Sequence, residues 1–237
     1  TYAATQRSFV PTISQTNADP RCVRTRERLR DALGQAVAQE GDLSRVTVTC
    51  VADIAGLTRR TFYSHYKDIQ DLVTSIEDET LSDIQNLTWT ICETHLEDVF
   101  SACDNLEPVP GSVELLTYFK ERGSYLAPLL GPSGDPRFME RLKAQLHTSF
   151  SARALSGIDE RALGTFFDYY ITFAVSAECG VLERWIIGGM SEPVEAMARL
   201  MTLLMFVRPG DLYNNSYDLN IPLYGLALMT FLEEHRD

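Results

Sequence analysis

The sequence lacks the features that mark membrane proteins, disulfide-rich domains and β-proteins. No apolar run approaches the about 18–20 residues needed to span a bilayer, and the N-terminal segment has no continuous apolar stretch of the signal-peptide kind. The five cysteines are scattered and form no C-x-x-C pair, which favours reduced thiols in a cytosol over disulfides or a zinc site. Nothing alternates between apolar and polar residues for long enough to form a sheet. We therefore expect an all-α, cytoplasmic protein without a membrane partner.

Catalytic motifs are also missing. The chain has four histidines and contains no H-E-x-x-H, no G-x-S-x-G and no glycine-rich loop for a phosphate. The glycine-rich segment GPSGDP at 131–136 is interrupted by proline, which is typical of a turn. We expect no enzyme activity, no cofactor and no metal site.

Charge is distributed unevenly along the chain. The formal net charge is -12, a value that by itself argues against nucleic acid as a partner. Residues 1–67, which we call the head, contain 10 Lys and Arg and 6 Asp and Glu, a charge of +4. Residues 68–237, the body, contain 11 and 27, a charge of -16. Because the head is basic although the whole chain is acidic, the net charge does not exclude a nucleic-acid partner that binds the head.

Apolar spacing and capping residues predict a succession of helices. The first helix carries its apolar stripe on Leu29, Leu33 and Val37 and stops at Gly41. Thr47 is expected to cap a short helix through Ala55, Thr58 a second one to about Tyr66, and Asp68, in a capping box with Asp71, a long one towards Phe100. Further helices are predicted at about 112–122, 123–130, 135–153 and 159–188 and in the segment after GGM.

The segment from Thr47 to Tyr66 fits a helix-turn-helix motif. Ala52 is small where the two helices must touch, and Gly56 suits the left-handed turn between them. Apolar side chains that fix the crossing are supplied by Val51, Ile54, Leu57 and Phe62. The alternative is that two helices merely pack and leave their arginines on a solvated face.

In such a motif the start of the second helix faces the major groove of DNA. An arginine there donates two hydrogen bonds to guanine or anchors a phosphate. The candidate DNA-binding residues are Thr47, Thr49, Thr58, Arg59, Arg60, Thr61, Tyr63, His65, Tyr66 and Lys67. Arg59 to Thr61 are expected to read bases, and the later residues to hold the phosphate backbone.

The run VADIAGLTRRTFYSHYKDIQDL, from Val51 to Leu72, resembles the characteristic pattern of the TetR family of bacterial transcription regulators. The similarity covers Arg28 to Leu72 and departs from the pattern at Ile69, where the family has a lysine; Lys67 is expected to take over its phosphate contact. Residues of about 120–205 look like the C-terminal domain of a subgroup grouped with activators of dihydroxyacetone kinase genes. The piece after Pro209 lies beyond the usual end of the family.

The resemblance implies a sequence-specific regulator, usually a repressor, that binds a palindromic operator as a homodimer and is released by a small-molecule effector. It also implies an N-terminal three-helix helix-turn-helix domain and a C-terminal helical domain for dimerisation and ligand binding. We accordingly divide the chain into a flexible tail (1–20), a DNA-binding domain (21–67), an effector-binding and dimerisation domain (68–208) and an extension of unassigned role (209–237).

Candidate residues in the body are apolar and aromatic. The dimer-interface candidates are Phe166, Tyr170, Val181, Trp185, Met197 and Met201. The effector-pocket candidates are Tyr118, Tyr125, Phe138, Phe150, Tyr169 and Phe173, with His95 or His147 as a polar group. Each of these side chains has an alternative role in the core of a single chain. The rival function is a helical dimeric module for protein interaction that has lost DNA binding.

Overall fold

The computed structural model describes residues 19–94, 96–154 and 160–205, and within them side chains other than those of 96, 100, 103, 153, 154 and 160–167. These residues form helices and no strands, which confirms the all-α prediction. The helices are α1 (Pro20–Glu40), α2 (Val48–Ile54), α3 (Arg59–Tyr63), α4 (Ile69–Glu93), α5 (Leu96–Asp104), α6 (Ser112–Glu121), α7 (Gly123–Leu130), α8 (Pro136–Ala154), α9 (Glu160–Ile187) and α10 (Val194–Leu204), with a short 3-10 helix at Leu43–Arg45.

The first helix begins and ends at well-defined caps. The side chain of Asp19 accepts a hydrogen bond from the Arg21 N–H, and Pro20 occupies the first turn, where its missing N–H costs nothing. At the other end Gly41 adopts a left-handed conformation (φ +67) and donates to Val37 O at 2.9 Å, as predicted. Helix α1 thus begins at Pro20, the last residue of the predicted tail. Residues 1–18 and the predicted extension 209–237 lie outside the described residues.

Two threonines set the starts of the helix-turn-helix pair. The Thr47 side chain accepts from Cys50 N at 3.2 Å, and the Thr58 side chain accepts from Thr61 N at 3.1 Å. Between them Gly56 has φ +61, which a residue with a Cβ adopts only at a cost. The second helix ends at Tyr63 rather than at Tyr66, because the chain after Tyr63 closes in turns before α4 begins.

The helix α4 starts where the sequence predicts. Asp68 accepts from Asp71 N at 2.8 Å, and the Asp71 carboxylate accepts from Lys67 N at 2.9 Å, so the reciprocal bond of the capping box reaches one residue further back. The helix ends at Glu93 and not towards Phe100, because Thr94 is extended (φ -63, ψ 132) and α5 follows as a separate helix.

The body is a packed set of helices on which the head rests. Helix α4 packs against α6 and α8, α9 packs against α7 and α8, and α10 packs against α6. Their buried side chains continue the core formed by α1 to α3, with Leu33, Phe62, Leu72, Phe119 and Leu142 all less than 2% exposed. None of the helices in the described ranges combines the length and the apolar character needed to cross a membrane.

Helix α1 of the head lies directly against α7 of the body. A Cβ built on Gly34 would lie 2.2 Å from Ser124 O, so the two backbones touch. One turn earlier the Ser124 hydroxyl donates to Asp31 Oδ1 at 2.6 Å. The 3-10 segment adds a third link, because Leu43 N donates to Ser133 O at 2.8 Å. The division of the chain at 67/68 falls between α3 and α4 and stays a prediction.

Candidate nucleic-acid interface

The N-terminal end of α3 presents an exposed basic surface. Thr58 caps the helix and its hydroxyl lies 2.9 Å from that of Thr61, which fixes both side chains. Arg59 and Arg60 follow the cap and are exposed, and the Arg59 guanidinium lies 6.0 Å from the ring centroid of Tyr63. Tyr63 is itself 50% exposed. A short helix therefore carries two cations and one aromatic hydroxyl into solvent on one side.

The remaining surface candidates flank this helix. Thr47 and Thr49 are exposed at the start of α2, with the Thr47 oxygen occupied as a cap. Lys67 is exposed at the start of α4 and forms no ion pair with any described residue. His65 is half-buried, and its Nδ1 lies 3.8 Å from Cys22 Sγ, so its ring contacts α1.

Tyr66 is the exception among the candidate DNA-binding residues. It is only 6% exposed, and its ring packs against Phe62 with the centroids 6.0 Å apart. Its buried hydroxyl has no hydrogen-bond partner. The prediction that Tyr66 contacts DNA is therefore wrong, because the aromatic that ends the motif faces the core and not the solvent.

Two arginines of α1, the exposed Arg28 and the half-buried Arg30, are hydrogen-bonded to other parts of the chain. The Arg28 guanidinium donates to the carbonyl oxygens of Ala55 and Gly56, the latter at 3.4 Å. The Arg30 side chain is 13% exposed and forms a two-pronged ion pair with Glu79 of α4. Burial acts to lower the pKa of Arg30, but the hydrogen bonds and charge of Glu79 outweigh it and raise that pKa.

The net charge of the head therefore overstates the number of cationic side chains that are free to contact DNA. Among the described residues of the head, the exposed cationic side chains that make no such bond are Arg21, Arg24, Arg26, Arg45, Arg59, Arg60 and Lys67. Nothing in the spacing of the α1 arginines separates Arg28 and Arg30 from the others, because the distinction depends on which elements pack against each turn of the helix.

The effector-pocket candidates do not line one common cavity. Tyr118, Tyr125 and Phe138 are core side chains, 7%, 9% and 0% exposed, and burial raises the pKa of both tyrosines. Tyr169 and Phe173 are 68% and 69% exposed, so the prediction that these two line an interior pocket is wrong. The last candidate, Phe150, is half-buried against the core. His147 Nε2 lies 3.4 Å from Asp168 Oδ1, and His95 lies outside the described residues.

A polar cleft of about 460 Å³ lies between the first turns of α4 and the start of α8. Its walls are formed by Gln70, Thr74, Glu77, Asp135, Arg137 and Arg141. Glu77 is buried and pairs with Arg141 at 2.7 Å through one oxygen, while the other oxygen has no partner. Burial, together with the charge of Asp135, raises the pKa of Glu77 in spite of Arg141. Among the described residues no group of three or more His, Cys, Asp or Glu is arranged to hold a metal.

The dimer-interface candidates divide between core and surface. Trp185 and Met197 are 3% and 4% exposed within one chain, so their assignment to an interface is wrong. Val181 and Met201 are half-buried and Tyr170 is 50% exposed, whereas the side chain of Phe166 lies outside the description.

Large exposed apolar side chains cluster on α9 and α10 instead. We call this set the outer face; its members are Tyr169, Tyr170, Phe173, Ile187, Leu200, Leu203, Leu204 and Met205. Two of them, Tyr169 and Phe173, are the residues that the sequence placed in a pocket. Single exposed apolar residues are ordinary, whereas several on two successive helices are typical of contact surfaces.

Comparisons with known proteins agree with this architecture. Residues 106–206 match a family model described as "Transcriptional regulator C-terminal region". A solved TetR-like transcriptional regulator from Rhodococcus sp. RHA1 superposes with a TM-score of 0.52 at 16% identity, over 83% of this chain and 100% of that chain. The fatty acid degradation regulator FadR from Bacillus halodurans gives 0.52 at 15% identity, over 76% and 94%.

A third solved structure, the dihydroxyacetone kinase operon activator DhaS, gives a TM-score of 0.46 at 15% identity over 77% of this chain and 94% of that chain, an overlap too low to carry a conclusion. A search of curated protein sequences finds no significant match. The two other structures share the fold of this chain, and the C-terminal part of the chain is similar to the family model.

Proposed function

We propose that this chain is a TetR-like transcriptional regulator that binds a palindromic DNA operator as a homodimer, represses transcription there, and is released by a small-molecule effector. The similarity to regulator structures and to a regulator family model supports the class. The observation that carries the proposal is the capped start of α3, which exposes Arg59 and Arg60 side by side. We refer to α3 as the recognition helix.

The chemistry of that surface suits a DNA groove. An arginine at the start of a recognition helix reaches guanine O6 and N7 with two parallel hydrogen bonds. Tyr63 and Lys67 supply donors of the kind that hold phosphates.

A homodimer follows from the outer face and from the way such motifs read DNA. One recognition helix contacts only a few base pairs, so paired copies are needed for a site of useful specificity. A two-fold axis through the outer face brings α9 and α10 of two chains together and buries the exposed aromatic side chains. The acidic body then stays away from the phosphates while the heads face the duplex.

Effector release requires a ligand that binds the two states of the dimer with different affinity. The aromatic candidates do not define its site, so the proposal names no ligand chemistry. It places the protein in the cytoplasm, where its DNA target lies.

Selection of bound fragments from random duplex DNA by the full chain tests the proposal. We expect enrichment of a two-fold symmetric sequence with half-sites about one helical turn apart. Affinity for that sequence should fall steeply with salt, because cationic side chains displace counterions from phosphates.

The rival module for protein interaction predicts no enriched sequence and no gel shift at low salt. Binding to every duplex alike would support a basic head without sequence recognition and would contradict the operator. Binding of single half-sites by a monomer would contradict the homodimer alone.

A further inference from the structure

We propose that Arg28 positions the recognition helix by fixing the turn that precedes it, and that it does not bind DNA itself. The inference rests on the proposed function, because the role of α3 in recognition is part of that proposal. It concerns a residue that the basic character of the head would otherwise assign to phosphate binding.

The contact joins two elements that are distant in sequence. Arg28 lies on α1, and its guanidinium donates to Ala55 O and Gly56 O, the carbonyls at the end of α2. Carbonyl oxygens at a helix C-terminus have no partner within the helix and carry the negative end of its dipole. Among the described residues no backbone N–H donates to either oxygen, so Arg28 takes the place of a capping interaction.

The turn is shaped to receive this guanidinium. Gly56 adopts φ +61, and a Cβ built there would lie 3.1 Å from Arg28 Nη2. Glycine therefore serves two needs at this position: it permits the left-handed backbone and it leaves room for the arginine. Both hydrogen bonds leave the same nitrogen, Nη2, at the tip of the side chain. A lysine side chain is one atom shorter, so we expect its ammonium group to fall short of the two carbonyls.

The recognition helix depends on such external support. It has five residues, too few to be stable alone, and Phe62 is its one fully buried side chain. Base reading by Arg59 and Arg60 needs the helix at a fixed angle, because a two-pronged hydrogen bond tolerates little rotation. The Arg28 contact fixes the turn two residues before the Thr58 cap and so fixes the direction in which α3 leaves it.

Arg24 provides a matched control. It lies one turn earlier on α1, is exposed, and makes no hydrogen bond or ion pair with a described residue. Replacing Arg24 or Arg28 by alanine removes the same charge from the same helix. Only the second change removes the bonds to the turn.

The experiment measures affinity of the full chain for its selected operator and for an unrelated duplex, across salt concentrations, for R28A, R28K, R24A and the parent. We expect R28A and R28K to lose about tenfold or more in the ratio of specific to non-specific affinity, with an unchanged salt slope. We expect R24A to leave that ratio unchanged.

An equal loss on both duplexes in R28A with a salt slope lower by about 1 would show a phosphate contact and overturn the proposal. Full recovery in R28K would also overturn it, because charge alone would then suffice.

Amide hydrogen exchange separates a failure of this inference from a failure of the proposed function. In R28A the amides of Gly56 and Leu57 should exchange at least about tenfold faster than in R24A, because the turn has lost its support. This readout does not require DNA. Unchanged exchange overturns the role of Arg28 even in a chain that binds its operator. If the parent selects no operator but exchange is faster in R28A than in R24A, the role of Arg28 in the turn is supported and only the DNA target is rejected.

Discussion

The guanidinium groups of Arg59 and Arg60 form no hydrogen bond or ion pair with another described residue, unlike those of Arg28 and Arg30 on α1. Arg28 and Arg30 are occupied by carbonyls and by Glu79, whereas the pair on α3 is exposed and Arg59 only approaches the ring of Tyr63. Ion pairs at an exposed surface contribute little to stability, so removing these charges leaves folding intact. We therefore expect substitutions of Arg59 and Arg60 to change the affinity for DNA and not the folding stability.

Replacing Arg59 or Arg60 by alanine should strongly weaken specific DNA binding and leave the dimer intact. Each good base contact is worth about 1–3 kcal/mol, so affinity for the operator should fall by about tenfold to hundredfold per residue. Fluorescence anisotropy with the operator measures the loss, and sedimentation checks the oligomeric state. If both variants bound as tightly as the parent, the major-groove placement of α3 would be wrong.

Glu178 on α9 should make folding stability depend on pH. Burial without a compensating cation raises its pKa from the ordinary 4.5 to about 7. Between these values the unfolded chain has lost the proton and the folded chain keeps it, so stability falls as pH rises through this window and levels off above about 7. The shift corresponds to on the order of 3 kcal/mol.

Urea unfolding at several pH values compares the parent with E178Q and with E192Q, a change at an exposed loop carboxylate. The E178Q variant should lose the decline in stability and be more stable than the parent at alkaline pH. Parallel pH profiles for all three proteins would refute the assignment to Glu178.

At the scale of the elements, the sequence predicts where a helix begins better than it predicts which side of the helix is buried. The helices α2, α3 and α4 start at the predicted caps Thr47, Thr58 and Asp68, and Gly56 forms the predicted turn. These signals are local, because each side chain or backbone conformation acts within three residues of its own position.

Which face of a helix is buried depends on the helices that pack against it, and the sequence alone does not show which helices these are. Trp185 and Phe173 lie on the same helix and are equally apolar, yet one is 3% and the other 69% exposed. Tyr66 failed as a predicted DNA contact for the same reason. The family pattern located the motif, but only packing shows which of its aromatic residues face inwards.

Introducing a charge on the outer face should dissociate the proposed dimer. Phe173→Glu places a carboxylate where two aromatic surfaces are expected to meet, and an unpaired buried charge of this kind costs several kcal/mol. We expect the dimer dissociation constant to rise about thirtyfold or more, measured by analytical ultracentrifugation.

Trp89→Glu is the matched control, because Trp89 is 65% exposed and lies on α4, which packs against α6 and α8. An unchanged dissociation constant in Phe173→Glu, or equal weakening in both variants, would place the interface elsewhere. A parent protein that stays monomeric would contradict the dimer itself.

At the scale of the whole molecule, head and body are joined where the backbone of α1 touches the backbone of α7. Gly34→Ala places a methyl group 2.2 Å from Ser124 O, and backbone cannot move aside as a side chain does. We expect a loss of about 1–3 kcal/mol in the free energy of unfolding from this overpacking. Denaturation in urea, followed by circular dichroism, measures it.

Ala38→Val is the control, because it adds volume on an exposed position of the same helix. It should cost no more than about 0.7 kcal/mol, the usual penalty of a β-branched residue in a helix. Greater stability in Gly34→Ala than in the parent would mean that the gain in helix propensity exceeds the clash and that α1 can leave α7 freely.

Gly34 also limits how parts of such regulators can be exchanged by engineering. A hybrid that joins this body to a foreign DNA-binding unit at the boundary before Asp68 would bring in another first helix, and any side chain at the position of Gly34 would push that helix away from Ser124. The exchangeable unit is therefore not a continuous stretch of sequence. It consists of α1 to α3 together with the surface of α7, and a working hybrid has to carry both.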